Sequence, residues 1–207
     1  MRAAILGILL MVAAAAARAD MVDSAGVPPH EHCALCHGLN GISPMAKFPR
    51  LAGQRYAYIA KQLADFRAGR RTNDGGPMDG ITHQFEMKQL LEAATWFSRQ
   101  PGPPPVEHDG RDIAAGRALF EGGKPAAGVP ACASCHGAVA RTTLIAPRLE
   151  AQHPRYLEKQ LGDFRSEERR NDPDGVMRRI AAALTGQEIE SVARYLASQP
   201  RGPEVRP

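Results

Sequence analysis

Apolar residues in this chain recur at helical spacing, and they do so twice. Ile59, Leu63 and Phe66 fall at i, i+4 and i+7, and Leu157, Leu161 and Phe164 repeat the pattern. A second stripe follows each of these. Met87, Leu90, Leu91 and Ala94 line one face of the first, and Ile189, Val192 and Leu196 line the second. Thr185-Gly-Gln-Glu188 is a capping box that opens the last helix. No stretch alternates apolar and polar residues as a half-buried strand does, so the pattern predicts an all-α protein.

The stripes belong to a longer internal repeat. One copy reads CALCHGLNGISPMAKFPRLAGQRYAYIAKQLADFRAG from Cys33, followed by RRTNDGGPMDGI. The other reads CASCHGAVARTTLIAPRLEAQHPRYLEKQLGDFRSE from Cys132, followed by ERRNDPDGVMRRI. Shared landmarks are CxxCHG, PRL, a glutamine, a tyrosine four residues on, KQLxDFR, RxND, a methionine and a closing SQP or SxQP. Two copies are too few for a solenoid, so two tandem domains are expected, over 20–101 and 111–207. The proline-rich join 102–110 predicts an extended, semi-rigid linker. Each copy is small and poor in aromatic residues. Domains of that size need a covalent or metal staple to hold a thin core.

Residues 1–19 are set aside as a signal peptide: Arg2, an apolar run from Ala3 to Ala17, and the A-x-A site Ala17-Arg18-Ala19 before Asp20. The run is shorter than the roughly 20 residues that span a bilayer. A periplasmic location follows. The formal charge of +4 falls to +2 without Arg2 and Arg18, and acids and bases interleave in both halves. That balance gives no nucleic-acid-binding block and no polybasic membrane patch. Peripheral contact with a membrane and the oligomeric state are left open by it.

The staple is written in the cysteines. C-x-x-C-H stands at Cys33, Cys36, His37 and again at Cys132, Cys135, His136. This is the attachment signature of haem c. Two thiols a helical turn apart each form a thioether to one vinyl group, and the next histidine is carried beneath the iron. A redox disulfide expects a thioredoxin-like βαβ context, which the helical pattern lacks. A zinc site leaves the trailing histidine of both copies unexplained. Two covalent haems are expected, consuming all four thiols.

The distal ligand is singled out by the repeat. Met177 is the only methionine of the second copy, and Met78 takes the same place in the first, each 45 residues beyond the first cysteine of its motif. Met45 has no methionine counterpart, and Met87 falls on an apolar helix face. The rival histidines His30, His32, His83, His108 and His153 do not recur between copies. Around the irons, the carbonyl of Pro49 or Pro147 is placed to accept the histidine Nδ1–H. Gln54, Gln152, Tyr58 and Tyr156 are candidates to hydrogen-bond haem propionates, with helix capping and packing as the competing explanation.

CxxCHG, PRLxGQ or PRLxAQ, Y-x-x-K-Q-L-x-D-F-R, N-D and M-x-x-I, all in duplicate, resemble the cytochrome c4 family over essentially the whole exported chain. The resemblance implies two class I cytochrome c folds related by a pseudo-twofold axis, with the haems near the interface. It assigns His37 and Met78 to one iron, and His136 and Met177 to the other. It also implies a helix over GRALFEGG that opens the second domain, with Gly116 and Phe120 packing near Tyr195. The first domain departs here, because MVDSAGVPPHEHCALCHG carries two prolines and no aromatic residue. Its opening helix is expected to be short or missing.

Methionine thioether favours reduced iron, and filling both axial sites leaves none for oxygen or peroxide. The expectation is therefore an electron carrier rather than an enzyme. The resemblance implies electrons taken from a quinol-oxidising cytochrome bc complex and passed to a haem-copper oxidase. The alternative is the cytochrome subunit of a flavocytochrome c sulfide dehydrogenase, with a flavoprotein as partner. A dihaem peroxidase would need an open or displaceable ligand at one iron.

Overall fold

The computed structural model describes residues 26–107, 110, 112–137 and 145–202. The signal peptide and His108 lie outside the described residues. Among those described, nine α-helices form two groups, and no strand occurs beyond an isolated bridge between Lys124 and Val129.

The first group holds α1 (Pro29–His37), α2 (Tyr56–Arg67), α3 (Pro77–His83) and α4 (Met87–Arg99). Its core is Ile59, Leu63, Phe85, Leu90, Ala93, Ala94 and Phe97. Ile59, Leu63, Leu90 and Ala94 come from the two helical stripes, joined by Ala93 and Phe97 of α4 and by Phe85 from the turn before it, while Leu91 is only half-buried. Met87 packs against this core.

The second group holds α5 (Ile113–Gly122), α6 (Ala133–His136), α7 (Pro154–Arg165), α8 (Val176–Ala182) and α9 (Gly186–Ser198). Its core joins Leu119, Leu157, Leu184, Ile189, Val192, Ala193, Tyr195 and Leu196. The Thr185 capping box forms: the Glu188 amide donates to Thr185 Oγ1 at 3.2 Å and the Thr185 amide to Glu188 Oε2 at 2.7 Å.

The helix α5 crosses α9 at Gly116. A Cβ there would lie 2.1 Å from the Ser191 carbonyl oxygen and 2.8 Å from Tyr195 Cβ. Phe120 and Tyr195 meet one turn on, with ring centroids 5.7 Å apart. The first group has no such helix among its described residues. Trp96, at the position of Tyr195, instead stacks on His30 at 4.0 Å and donates to the Leu39 carbonyl at 3.0 Å. Gly116→Val is expected to separate α5 from α9 and lower stability by about 2–3 kcal/mol. A urea titration of the holoprotein reads this as a lower midpoint.

The two groups meet through hydrogen bonds that come in exchanged pairs. Gln54 Nε2 donates to the Arg148 carbonyl (2.9 Å) while the Arg148 amide donates to Gln54 Oε1 (2.8 Å). Gln152 makes the mirrored pair with Arg50, at 3.0 and 2.8 Å. Deeper in, Arg71 donates to Gln62, Gln160 and Tyr156, and Arg169 donates to Gln160, Gln62 and Tyr58. Lys61 donates to the Asn171 carbonyl (2.7 Å), and Lys159 to that of Asn73 (2.8 Å). Each of these contacts has its mate under the repeat, which is the pseudo-twofold relation written in side chains.

The proline-rich join is not a free spacer where it is described. The Val106 amide donates to the Ala197 carbonyl at 2.8 Å, and Arg50 Nη1 to that of Pro104 at 2.9 Å. Gly102 lies against Arg201, where a Cβ would come within 2.4 Å of its carbonyl oxygen. Absence of a side chain at Gly102 lets the two groups close.

Candidate haem-binding site

Cys33, Cys36 and His37 ride on one helix, α1, which ends at the histidine. In the second group Cys132 is the N-cap of the single turn α6, and His136 is its last residue. Both imidazoles are buried. His37 Nδ1–H donates to the Pro49 carbonyl at 2.9 Å, and His136 Nδ1–H to that of Pro147 at 2.9 Å. Burial pushes both histidines below their ordinary range, against the opposing pull of the proline carbonyls. A neutral imidazole with Nδ1 tied this way offers its Nε2 lone pair as a ligand.

None of the four cysteines forms a disulfide. Burial pushes the Cys33 thiol up to about 11, and Cys132 is raised for the same reason. Redox-active and zinc-binding cysteines need the opposite, a stabilised thiolate. Among the described residues no three His, Cys, Asp or Glu side chains gather as a metal cluster would require. Protonated thiols beside a tethered neutral histidine, twice over, fit covalent haem.

Met78 is the second residue of α3 and Met177 the second of α8, and both are half-buried. Each short helix is entered through a left-handed glycine, Gly76 at φ 104° and Gly175 at φ 67°. Each is also capped by the aspartate of the N-D pair. Asp74 Oδ2 accepts from the Met78 amide (2.7 Å), and Asp172 Oδ2 from the Arg178 amide (3.1 Å). Met78 borders the first core, as do Cys33, Leu51 and Ile81. Met177 is carried by α8, which packs on α7. Met45 is 46% exposed. His83 caps its own turn, with Nδ1–H donating to the Asp79 carbonyl at 2.8 Å.

Gln54, Gln152, Tyr58 and Tyr156 stand at the interface between the two groups. Both glutamine amides are spent on main chain: each bridges to the opposite group and accepts from the next amide of its own chain, Arg55 or His153, at 2.9 and 3.0 Å. Each phenol takes an arginine from across the interface, Tyr156 from Arg71 at 3.2 Å and Tyr58 from Arg169 at 3.4 Å. Burial alone would raise Tyr58, yet the guanidiniums of Arg169 and Arg71 bring it below its ordinary value. These four residues join the domains.

Other contributors went unread in the sequence. Asp74 and Asp172 cap the methionine helices, and Asn73 and Asn171 cross the interface to Gln160 (3.1 Å) and Gln62 (3.0 Å). The shared RxND was their signal. Arg55 and His153 also cross, but they differ between copies, so the repeat hid them.

The cytochrome c family model matches residues 113–200. Fold and site together define a dihaem c-type cytochrome, an electron carrier holding two covalently attached haem c groups at Cys33/Cys36 and Cys132/Cys135. Cytochrome c4 of Azotobacter vinelandii is 39% identical over 176 residues, covering 79% of this chain and 82% of the relative. The solved structure of reduced recombinant cytochrome c4 from Pseudomonas stutzeri aligns with a TM-score of 0.74 at 36% identity, over 83% of this chain and 96% of that one. The chain belongs to the cytochrome c4 family. It is also similar to a thiosulfate dehydrogenase electron acceptor of Stutzerimonas stutzeri, 34% identical over 203 residues, covering 95% of this chain and 93% of the relative.

Proposed function

We propose that this chain is a periplasmic electron carrier whose irons are held by His37 with Met78 and by His136 with Met177. The observation that carries the reading is the duplicated site: a buried imidazole tied to a proline carbonyl, and a methionine on a capped turn 45 residues past the first cysteine. Covalent haem supplies a one-electron Fe(III)/Fe(II) couple. The chain's own residues do the rest. Pro49 and Pro147 fix the rings through Nδ1, and Met78 and Met177 would each supply a soft thioether to the iron of their own copy. The polar seam of Gln54, Arg71 and their mates holds the two sites in one body. No helix among the described residues is long and apolar enough to cross a membrane.

Electrons would enter from a quinol-oxidising cytochrome bc complex and leave to a haem-copper oxidase. The Stutzerimonas stutzeri relative favours a second donor, a thiosulfate-oxidising dehydrogenase, and aligns over nearly the whole chain. Visible and near-infrared spectra with haem quantitation test the site. Two haems per chain and the weak Met–Fe(III) band are expected, and Met78→Ala and Met177→Ala should each remove about half of that band. A full-strength band in either variant would reject that methionine, and rapid peroxide turnover would reject the carrier reading.

A further inference from the structure

Three guanidiniums gather where the two domains and the proline-rich join meet. Arg201 donates through Nη1 to the Ala52 carbonyl at 2.7 Å and through Nε to the Glu150 carbonyl at 2.9 Å, so it spans the interface by itself. Arg148 takes the next carbonyl on one side, Gly53 at 3.5 Å, and that of Gly202 at 2.6 Å. Arg50 takes the next carbonyl on the other side, Ala151 at 3.0 Å, and that of Pro104 at 2.9 Å. The interface carbonyls are two consecutive pairs, 52–53 and 150–151, which makes the three side chains neighbours.

Their hydrogen bonding is incomplete. Arg148 and Arg201 are each 5% exposed, yet among the described residues Arg148 Nε, Arg201 Nη2 and Arg50 Nε have no hydrogen-bond partner. One carboxylate joins the cluster, that of Glu150. Its Oε2 stands 3.9 Å from Arg148 Nε, beyond hydrogen-bond length, and is also without a partner. Burial pushes Arg201 down to about 10, Glu150 pulls it back up, and the charges of Arg148 and Arg50 push in the same direction as burial. All three arginines stay charged at neutral pH. A charged N–H buried without an acceptor is costly, and native proteins answer such groups with a ligand, an ion or a water.

The chemistry of the donors selects among these. Three unanswered groups are N–H donors and one is an acceptor. A water brings two hydrogens of its own, for which Glu150 Oε2 is the single free acceptor, whereas an anion brings none. The donors are also held in place, since the other nitrogens of each guanidinium are fixed on main-chain carbonyls. Their near-complete burial suits a monatomic anion better than a tetrahedral one. The repeat places a single such site in the chain. Arg50 and Arg148 are equivalent by position, but Arg201 stands where the first copy has Gly102, and Glu150 where it has Ala52.

We propose that Arg148 Nε–H and Arg201 Nη2–H, backed by the charge of Arg50, bind a small inorganic anion of chloride size, which ties the two domains together at their seam. Glu150 is the counterweight: its carboxylate repels the anion and keeps the site weak. The low effective dielectric of the seam strengthens both the attraction and the repulsion. The site is independent of which residues ligate the irons.

Chloride titration of the reduced holoprotein tests it, with sodium gluconate exchanged for sodium chloride so that ionic strength and screening stay constant. Chloride NMR line broadening reads binding directly, and urea unfolding reads the linked stability. The folding constant should rise with chloride, and a concentration about nine times Kd should raise it about tenfold. Glu150→Gln keeps the shape, removes the repulsion and should tighten binding roughly tenfold. Arg201→Gln should abolish the broadening and make the urea midpoint indifferent to chloride. The proposal is overturned if chloride and gluconate act alike on the wild type, which would leave buried water as the partner of these N–H groups. Broadening that persists in Arg201→Gln, or affinity that does not rise in Glu150→Gln, overturns it too. Should Arg201→Gln fail to assemble, the wild type and Glu150→Gln still decide. The haem spectrum, recorded throughout, reports on the irons separately.

Discussion

A chain with Cys132→Ala and Cys135→Ala will carry one haem and lose the folded state of its second helical group. The reason lies in how little else holds that group. Its buried core amounts to four leucines (Leu119, Leu157, Leu184 and Leu196), Ile189, Val192, Ala193 and Tyr195. His136 sits buried with its Nδ1–H tied to the Pro147 carbonyl, and burial raises the partly buried Cys132 thiol. Without covalent haem those polar atoms stay desolvated while the faces meant to clasp a porphyrin meet water. The loss is on the order of the whole 5–15 kcal/mol that stabilises a domain. Helical circular dichroism and limited proteolysis should show α5 to α9 cleaved while α1 to α4 resist, with haem falling from two per chain to one. Undiminished helicity at one haem per chain would show that the apolar core suffices alone.

Much of this architecture was legible because duplication acts as an internal control. Helical periodicity marked α2, α4, α7 and α9, since each buries one face against a core and the 3.6-residue rhythm records it. The same control separated Met78 from Met45 and Met87. What periodicity cannot show is a contact whose partner lies a hundred residues away. Gln54, Gln152, Tyr58 and Tyr156 recur in both copies, and contact with the haem propionates or capping and packing explain that recurrence equally well. The pseudo-twofold interface imposes the same recurrence, because each domain must present the same groups to its mate. Recurrence therefore marks either the cofactor or the axis, and only geometry tells them apart. Arg55 and His153 show the reverse: they do equivalent work with different side chains, so no repeat-based reading could find them. That the first domain's described residues hold no counterpart of α5 was foreseeable from two prolines and no aromatic residue. The stacking of Trp96 on His30 that replaces its contact was not.

The second large effect is expected at the centre of that interface. Arg71 donates through Nε to Asn73 Oδ1 (2.9 Å), through Nη1 to Gln62 Oε1 (2.8 Å), and through Nη2 to Gln160 Oε1 (2.9 Å) and the Tyr156 hydroxyl (3.2 Å). Its guanidinium carbon lies 4.5 Å from the centroid of the Phe66 ring, and Arg169 repeats the arrangement over Phe164 at 4.5 Å. Arg71→Met keeps the volume and the contact with Phe66 but removes every donor. Tyr156 then loses the guanidinium that it faces, and both glutamine carbonyls lose one of their charged donors. Hydrogen bonds to a charged group are worth roughly 1.5–3 kcal/mol, and leaving buried acceptors without one costs about 1–3 kcal/mol each. Arg169 still reaches Gln160 (2.7 Å) and Gln62 (3.0 Å), so part of the network survives, and a loss of about 3 kcal/mol is expected for the single variant. Arg169→Met should cost about the same by symmetry. The double variant should not cost their sum alone. Gln62 and Gln160 each accept from both arginines, so removing the second takes the last charged donor from each carbonyl and leaves it only the neutral amide of Asn171 or Asn73. A coupling of about 1–2 kcal/mol beyond additivity follows. Denaturant unfolding of the four holoproteins closes the cycle, and additive losses would mean that the two halves of the seam act independently.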